Sequence, residues 1–466
     1  MSALVLDALV YWVKLIFCFG RNRFNADQYV VWNGQKVANP HFLVLGTSGS
    51  GKTTFINEFV YNLASNFSDF EFHVIDVHGD ININSNVVQN FLFSETSKYG
   101  LNPFVLSSDV HYGGVRRKVK SFIHSLNRTT RKLGIRQENA LTNILFDLYF
   151  ANGFYLDDPD TWSINYDPRD NPKFTKKYPT LLDLKRYLEY RVKQLFLGTN
   201  SKTIAYLEEL NKKVSLLNKN SIKYLRSREE EEREKIEKRI EELKDKLKEL
   251  FINYLDSLQT GKEFDDVLKY DSYDVMKSLL VYIDELVNSG IFSGEYPVLS
   301  SDRRVAVYKI HAMRRDEQKL FVDFLLEDIF LKKRERGISS LDTYIVLDEA
   351  HLFATEDPDH ILNVLLKEGR KFGVGVVIAS QSLKHFSSDV LTNTASKVIL
   401  GVNEVEFDLV ERKLKTTKGQ LRYLVPRKTM LVKFASIKSI SSKYYTVDID
   451  YSVNRNSVVL RHFLDV

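Results

Sequence analysis

Phe42-Leu-Val-Leu-Gly46-Thr-Ser-Gly-Ser-Gly51-Lys52-Thr53-Thr54 is the stretch on which the reading of this 466-residue chain turns. Phe42 to Leu45 is a short apolar run that predicts a strand buried on both faces. Thr53 to Ala64 carries a helical pattern with Ile56, Phe59, Val60 and Leu63 on one face. Between them, Gly46 to Thr53 fits G-x-x-x-x-G-K-[ST], a strand–loop–helix phosphate cradle. Glycines in such a loop let main-chain N–H groups wrap an anion where a Cβ would collide, and the helix N-terminus adds partial positive charge. Gly46, Thr47, Ser48, Gly49, Ser50, Gly51, Lys52, Thr53 and Thr54 are therefore the candidate nucleotide-binding residues. Lys52 is set to neutralise the β and γ phosphates, and the Thr53 hydroxyl to hold Mg²⁺.

A second buried run, Thr343-Tyr-Ile-Val-Leu347, ends in Asp348-Glu349. Alternation along a strand points adjacent side chains in different directions, so the two carboxylates can divide the work. Asp348 is the candidate Mg²⁺ ligand, and Glu349 the group that orients and polarises an attacking water. Gln381 follows a third run, Gly375 to Ala379, and is a candidate γ-phosphate sensor or simply a polar strand end. Arg370, in Lys367-Glu-Gly-Arg370-Lys371, is a candidate finger for a neighbouring subunit's phosphate; a cation that merely suits a helix end is the alternative.

The strands Phe42–Leu45, Phe70–Asp76, Thr343–Leu347 and 375–379, separated by helical patterns at Thr53–Ala64, Glu317–Arg336 and Ile361–Phe372, predict an α/β fold with a mainly parallel sheet. Tyr29 to Trp32, Asn33-Gly34 and Gln35 to Val37 read as a hairpin. Residues 109–299 carry few strand signals and read as a large all-helical insertion. Within it, Leu207 to Leu217 and Ile236 to Tyr254 repeat apolar residues in steps of three and four, as one long helix or an antiparallel pair. The predicted organisation is an N-terminal apolar helix (1–24), a first core segment (25–108), the insertion (109–299), and a second core segment with a C-terminal tail (300–466).

Bulk composition bounds this reading without deciding it. Apolar residues make up 44% of the chain, enough for a sizeable core, and 66 Lys and Arg nearly balance 61 Asp and Glu, so net charge does not identify a nucleic-acid partner. Cys18 is the single cysteine, which excludes an intramolecular disulfide and suits the cytoplasm. Leu4 to Gly20 is apolar except for Asp7 and Lys14. It reads as an amphipathic docking helix, or as a membrane anchor or surface contact; it falls short of the roughly 20 residues that span a bilayer, and no small-residue cleavage site with a basic n-region precedes Arg21 to make it a signal peptide. The run Arg116, Arg117, Lys118, Lys120, Arg128, Arg131, Lys132 and Arg136 is either a nucleic-acid contact or a solvated helix face.

Several segments together resemble the HerA–FtsK superfamily, in particular archaeal HerA-like and conjugative ATPases. They are Pro40 through Thr54, Val74-Ile-Asp76-Val-His78-Gly79-Asp80, Gly100-Leu-Asn102-Pro103-Phe104, Leu133-Gly-Ile-Arg136-Gln137-Glu138, Leu347-Asp348-Glu349-Ala-His351, and Glu368 through Gln381, in the same order. The resemblance covers the core alone. It implies a RecA-like P-loop ATPase core, a hexameric ring with ATP sites at subunit interfaces, and double-stranded DNA moved through a central pore. Lys52, Thr53, Asp348, Glu349, Gln381 and Arg370 stand at matching positions; Lys367 stands where relatives often carry arginine. Asp348 to His351 also spell D-E-A-H, but no Q-x-x-G-R-x-G-R follows, and neither the N-K-x-D of GTPases nor the L-S-G-G-Q of ABC ATPases is present. The alternative of another class is an ATPase that powers protein secretion, pilus assembly or virion packaging at a membrane.

Overall fold

A computed structural model of the chain describes residues 15–34, 36–129, 132–169, 175–197, 201–227, 230–257, 269–292, 294–435 and 443–455. They divide into two compact units, the described residues up to Asn102 together with those from Ser289 onward, and those of Pro103–Asn288.

The first unit is built on a single sheet. In chain order its strands are β1 (Ile16–Asn22), β2 (Asn25–Asn33), β3 (Phe42–Gly46), β4 (Glu71–Asp76) and β5 (Val88–Leu92). After the second unit come β6 (Val305–Lys309), β7 (Ser339–Leu347), β8 (Phe372–Ser380), β9 (Ser396–Gly401), β10 (Thr429–Phe434) and β11 (Tyr445–Ile449). Their spatial order is β2-β1-β11-β10-β9-β3-β8-β7-β4-β6-β5. From β9 to β5 every pairing is parallel, and from β9 to β2 every pairing is antiparallel.

Phe42 to Gly46 is buried at every position because β3 lies mid-sheet, with β8 and β9 beside it. Helix Lys52–Asn66 covers one face and buries Phe55, Ile56, Phe59, Val60 and Leu63. Phe59 is the hub of that face: its ring centroid lies 5.0 Å from Phe42, 5.2 Å from Phe17 and 5.4 Å from Tyr344. Tyr344 on β7 sits opposite Gly375 on β8, where a Cβ would come within 2.3 Å of the tyrosine ring. Glycine there lets a large ring lie across the neighbouring strand.

Two expectations for the N-terminus are overturned. Residues 1–14 lie outside the described ones, but Ile16–Asn22 is a strand and not part of a helix spanning 1–24. Phe17 and Phe19 are fully buried, and Cys18 exchanges 2.8 Å hydrogen bonds through its main chain with the Asn454 side chain. Pairing with β2 and β11 settles the conformation, and β11 lies at the far end of the sequence. The hairpin also turns elsewhere: Asn22 pairs with Asn25, so the turn is Arg23-Phe24, while Asn33-Gly34 closes the end of β2. Gln35 is outside the described residues. No helix among the described residues is long and apolar enough to cross a membrane.

The second unit, Pro103–Asn288, contains helices Val115–Thr129, Ile135–Ala151, Leu181–Leu197, Ser201–Arg226, Glu230–Asp256 and Tyr273–Asn288, and no strand among its described residues. Of the two arrangements open to the repeating apolar tracts, the chain takes the antiparallel pair. Thr203 near the start of one helix and Ser257 just past the end of the next are joined by 2.8 Å hydrogen bonds. The unit ends before residue 299 because 289–299 returns to the first unit. There Leu101 N–H donates to the Ile291 carbonyl and Gly100 N–H to that of Glu295. Within the basic run, Arg116 pairs with Asp157 at 3.1 Å and Arg136 forks onto Asp271, so two of its charges have acidic partners; Arg131 is outside the described residues.

Candidate nucleotide-binding site

Strands β3, β8, β7 and β4 lie side by side, and the candidate residues follow their carboxyl ends. In open α/β sheets that edge is where ligands bind. Register sets the height of each group: Leu45 lies opposite Ser380, Leu347 opposite Ile378, and Ile75 opposite Leu347. Gly46, Asp76, Asp348, Glu349 and Gln381 therefore leave the sheet at nearly one level, and Lys52, the first residue of helix Lys52–Asn66, is tied to that level through Gly46.

The phosphate loop turns through left-handed backbone at Gly49 (φ 76°) and Gly51 (φ 106°), both unfavourable to residues with a Cβ. Ser50 is fully buried beneath it. Lys52 is 8% exposed; its Nζ donates to the Gly46 carbonyl at 2.9 Å and lies 3.8 Å from Glu349 Oε1. Thr53 donates its hydroxyl to Asp80 Oδ2 at 3.2 Å.

Asp348 and Glu349 diverge, but by a different device from strand alternation. β7 ends at Leu347, and Glu349 itself adopts left-handed backbone at φ 47°. Such a conformation is costly for a non-glycine residue and persists where surrounding contacts fix it. Those contacts are present: Gln381 Nε2 donates to Glu349 Oε1 at 2.7 Å, His351 Nδ1 lies 3.2 Å from Oε2, and His78 Nε2 lies 3.7 Å from Oε1. Burial by itself raises the Glu349 carboxyl, but the close approach of His351, the hydrogen bond from Gln381 and the charge of Lys52 outweigh it and hold it down at about 2. Asp348 behaves oppositely. Burial, then the adjacent Glu349 charge, pushes its carboxyl up to about 6.

Asp76, Asp80 and Asp348 each offer a carboxylate oxygen within 4.8 Å of the others, and Thr53 bonds to one of them. Hard oxygen donors of this kind fit Mg²⁺. Asp76 also has a plain structural duty, accepting from the Gly79 N–H at 2.7 Å and the Ile81 N–H at 3.2 Å; burial raises its carboxyl in spite of those bonds. Asp80 and His351 lie inside quoted motif segments, yet sequence reasoning gave neither a role, because their approach to Thr53 and Glu349 exists only in three dimensions. Arg370 is not brought to the site. It precedes the nine-residue β8, donates to the Ala38 carbonyl, and lies roughly 30 Å from the carboxyl end at strand rise.

The fold and this arrangement define a RecA-like P-loop NTPase core. An FtsK/SpoIIIE family model matches residues 12–82. The probable helicase MJECL08 of Methanocaldococcus jannaschii is 29% identical over 194 residues, 36% of this chain and 36% of that protein. HerA of Sulfurisphaera tokodaii, a DNA double-strand break repair helicase, is 27% identical over 186 residues, 35% of this chain and 37% of the relative. The aligned stretches thus span little more than a third of these curated relatives. VirB4 of Thermoanaerobacter pseudethanolicus shares the fold, with a TM-score of 0.60 over 93% of this chain and 96% of that one at 14% identity. The superfamily to which the core is similar is that of the HerA–FtsK P-loop ATPases.

Proposed function

We propose that the chain is an Mg²⁺-dependent ATPase that moves double-stranded DNA as a hexameric translocase or helicase of the HerA–FtsK type. The observation that carries the ATPase reading is the Glu349 carboxylate, fixed by Gln381 and His351 within 3.8 Å of the phosphate-loop lysine. Similarity to proteins named as helicases supports DNA as the substrate track.

Lys52 and the loop amides would bind the β and γ phosphates, and Thr53 with Asp348, aided by Asp80 and Asp76, would hold Mg²⁺. When bound, the ion supplies charge neutralisation for the transferring phosphoryl group. Glu349 orients the attacking water. Gln381, tied to Glu349, can signal to it whether a γ-phosphate is present. Association of phosphate with a group at the far end of β8 requires a second subunit, which gives Arg370 its proposed role in trans.

Steady-state ATPase with and without duplex DNA, over a series of salt concentrations, tests the function. Stimulation by DNA that fades as salt rises is expected, since phosphate contacts release counterions. Indifference to DNA, with stimulation by vesicles or a protein partner, would replace it with a secretion, pilus or packaging motor. The apolar N-terminus that had pointed that way is, over Ile16–Asn22, a sheet strand. For Arg370, mixing Arg370→Ala with Glu349→Gln subunits should restore part of the turnover that each lacks alone. Mixed assemblies as inactive as their parents would rule out a finger acting between subunits.

A further inference from the structure

The turn between helix Lys418–Arg422 and β10 places an arginine against the phosphate loop. Thr429, 2% exposed, fixes the turn: its Oγ1 accepts from the Val425 N–H at 2.6 Å and donates to the Tyr423 carbonyl at 2.7 Å. The N–H groups of Lys428 and Thr429 both reach the Val425 carbonyl at 3.0 Å. Within this frame Arg427 is held at φ 62°, a conformation that glycine or asparagine adopts at lower cost. Its N–H donates to the Ser50 carbonyl at 3.2 Å, and its Cγ would lie 3.5 Å from a Cβ placed on Gly51. The stem of the side chain therefore runs beside the residue that caps helix Lys52–Asn66.

Nothing local explains why this residue is an arginine. The main-chain bond to Ser50 needs only an N–H, and the backbone angle favours a smaller residue. Arg427 is exposed, and no hydrogen bond or ion pair of its guanidinium is found among the described residues. A cation at the N-terminal end of a helix is electrostatically unfavourable unless an anion joins it. The loop beside it is the one built to take that anion.

We propose that Arg427 is a nucleotide-binding residue acting within its own chain, its guanidinium binding an oxygen of the triphosphate held by Gly46–Thr54 while its main chain pins the crest of the loop. This rests on the nucleotide-site reading above and extends it to a residue about 375 positions beyond Lys52. The planar fork of arginine suits phosphate oxygens in a way lysine only partly reproduces.

The test is equilibrium titration of the full chain with ATP and ADP in the presence of Mg²⁺, alongside melting without nucleotide. Arg427→Gly keeps the N–H and suits the left-handed angle, so its melting temperature should equal or exceed that of the parent. Its ATP affinity should fall about tenfold or more, the scale of a charge-assisted contact, and Arg427→Lys should recover part of it. Parental ATP affinity in Arg427→Gly overturns the inference. So does a loss of affinity that comes with an equal loss of melting temperature and no recovery with lysine, which would make the residue structural. Failure of the unaltered chain to bind ATP would instead remove the nucleotide site itself. ATP binding that is lost in Lys52→Ala but untouched in Arg427→Gly would remove only the role of Arg427.

Discussion

Glu349→Gln should bind ATP as tightly as the parent and turn it over about a hundred to ten thousand times more slowly, the range for removal of a positioned general base. Glutamine keeps the shape and can still accept from Gln381 Nε2, so the constellation that fixes residue 349 survives. What disappears is the negative charge beside the position of the attacking water. A carboxyl held at about 2 is ionised throughout the physiological range, so the loss should be the same at pH 6 and pH 8. The check is ATP binding at equilibrium, followed by phosphate release in a single turnover. Unchanged turnover in this variant would remove Glu349 from the chemistry.

Lys52→Ala should abolish turnover and weaken ATP binding by about a hundredfold or more, the scale of losing one preorganised charge on a transferring phosphoryl group. The same change touches stability, because Lys52 is one of the groups that hold the buried Glu349 carboxyl down. A carboxyl whose folded value lies below its ordinary 4.5 stabilises the fold above that pH and loses the contribution as pH falls toward 2. Removing Lys52 raises the Glu349 value and narrows that window, so the variant should unfold in acid at a higher pH than the parent. Circular dichroism across an acid titration measures the shift. Normal ATP binding by a folded Lys52→Ala chain would show that the loop does not hold the phosphates.

What the sequence disclosed followed from the strength of local signals. β3, β4, β7 and β8 are short apolar runs that end in motif residues, so both strands and site could be read from the same few positions. β1 carries an equally apolar run, but a run of that length does not distinguish helix from strand; its partners β2 and β11 do. The limits of the helical unit were misplaced because 289–299 is tied to 98–101 by main-chain bonds that leave no periodicity. Lys52, Asp348 and Glu349 were legible as motif members. Asp80, His351 and Arg427 were not, since each acts through a neighbour distant in sequence or across a turn.

The place of β3 in the sheet has a consequence for the life of the chain before it is folded. Phe42 finds its two partners at Val377 and Ser396, so β3 leaves the ribosome long before either is made. At typical synthesis rates the interval is roughly 15 to 70 seconds. For that time β3 has the helix Lys52–Asn66 to pack on but neither of its strand neighbours, and the helical unit of 103–288 is made before either arrives. Until then the main-chain groups along both edges of β3 are unpaired, and an open strand edge is a template on which a strand of another copy can pair.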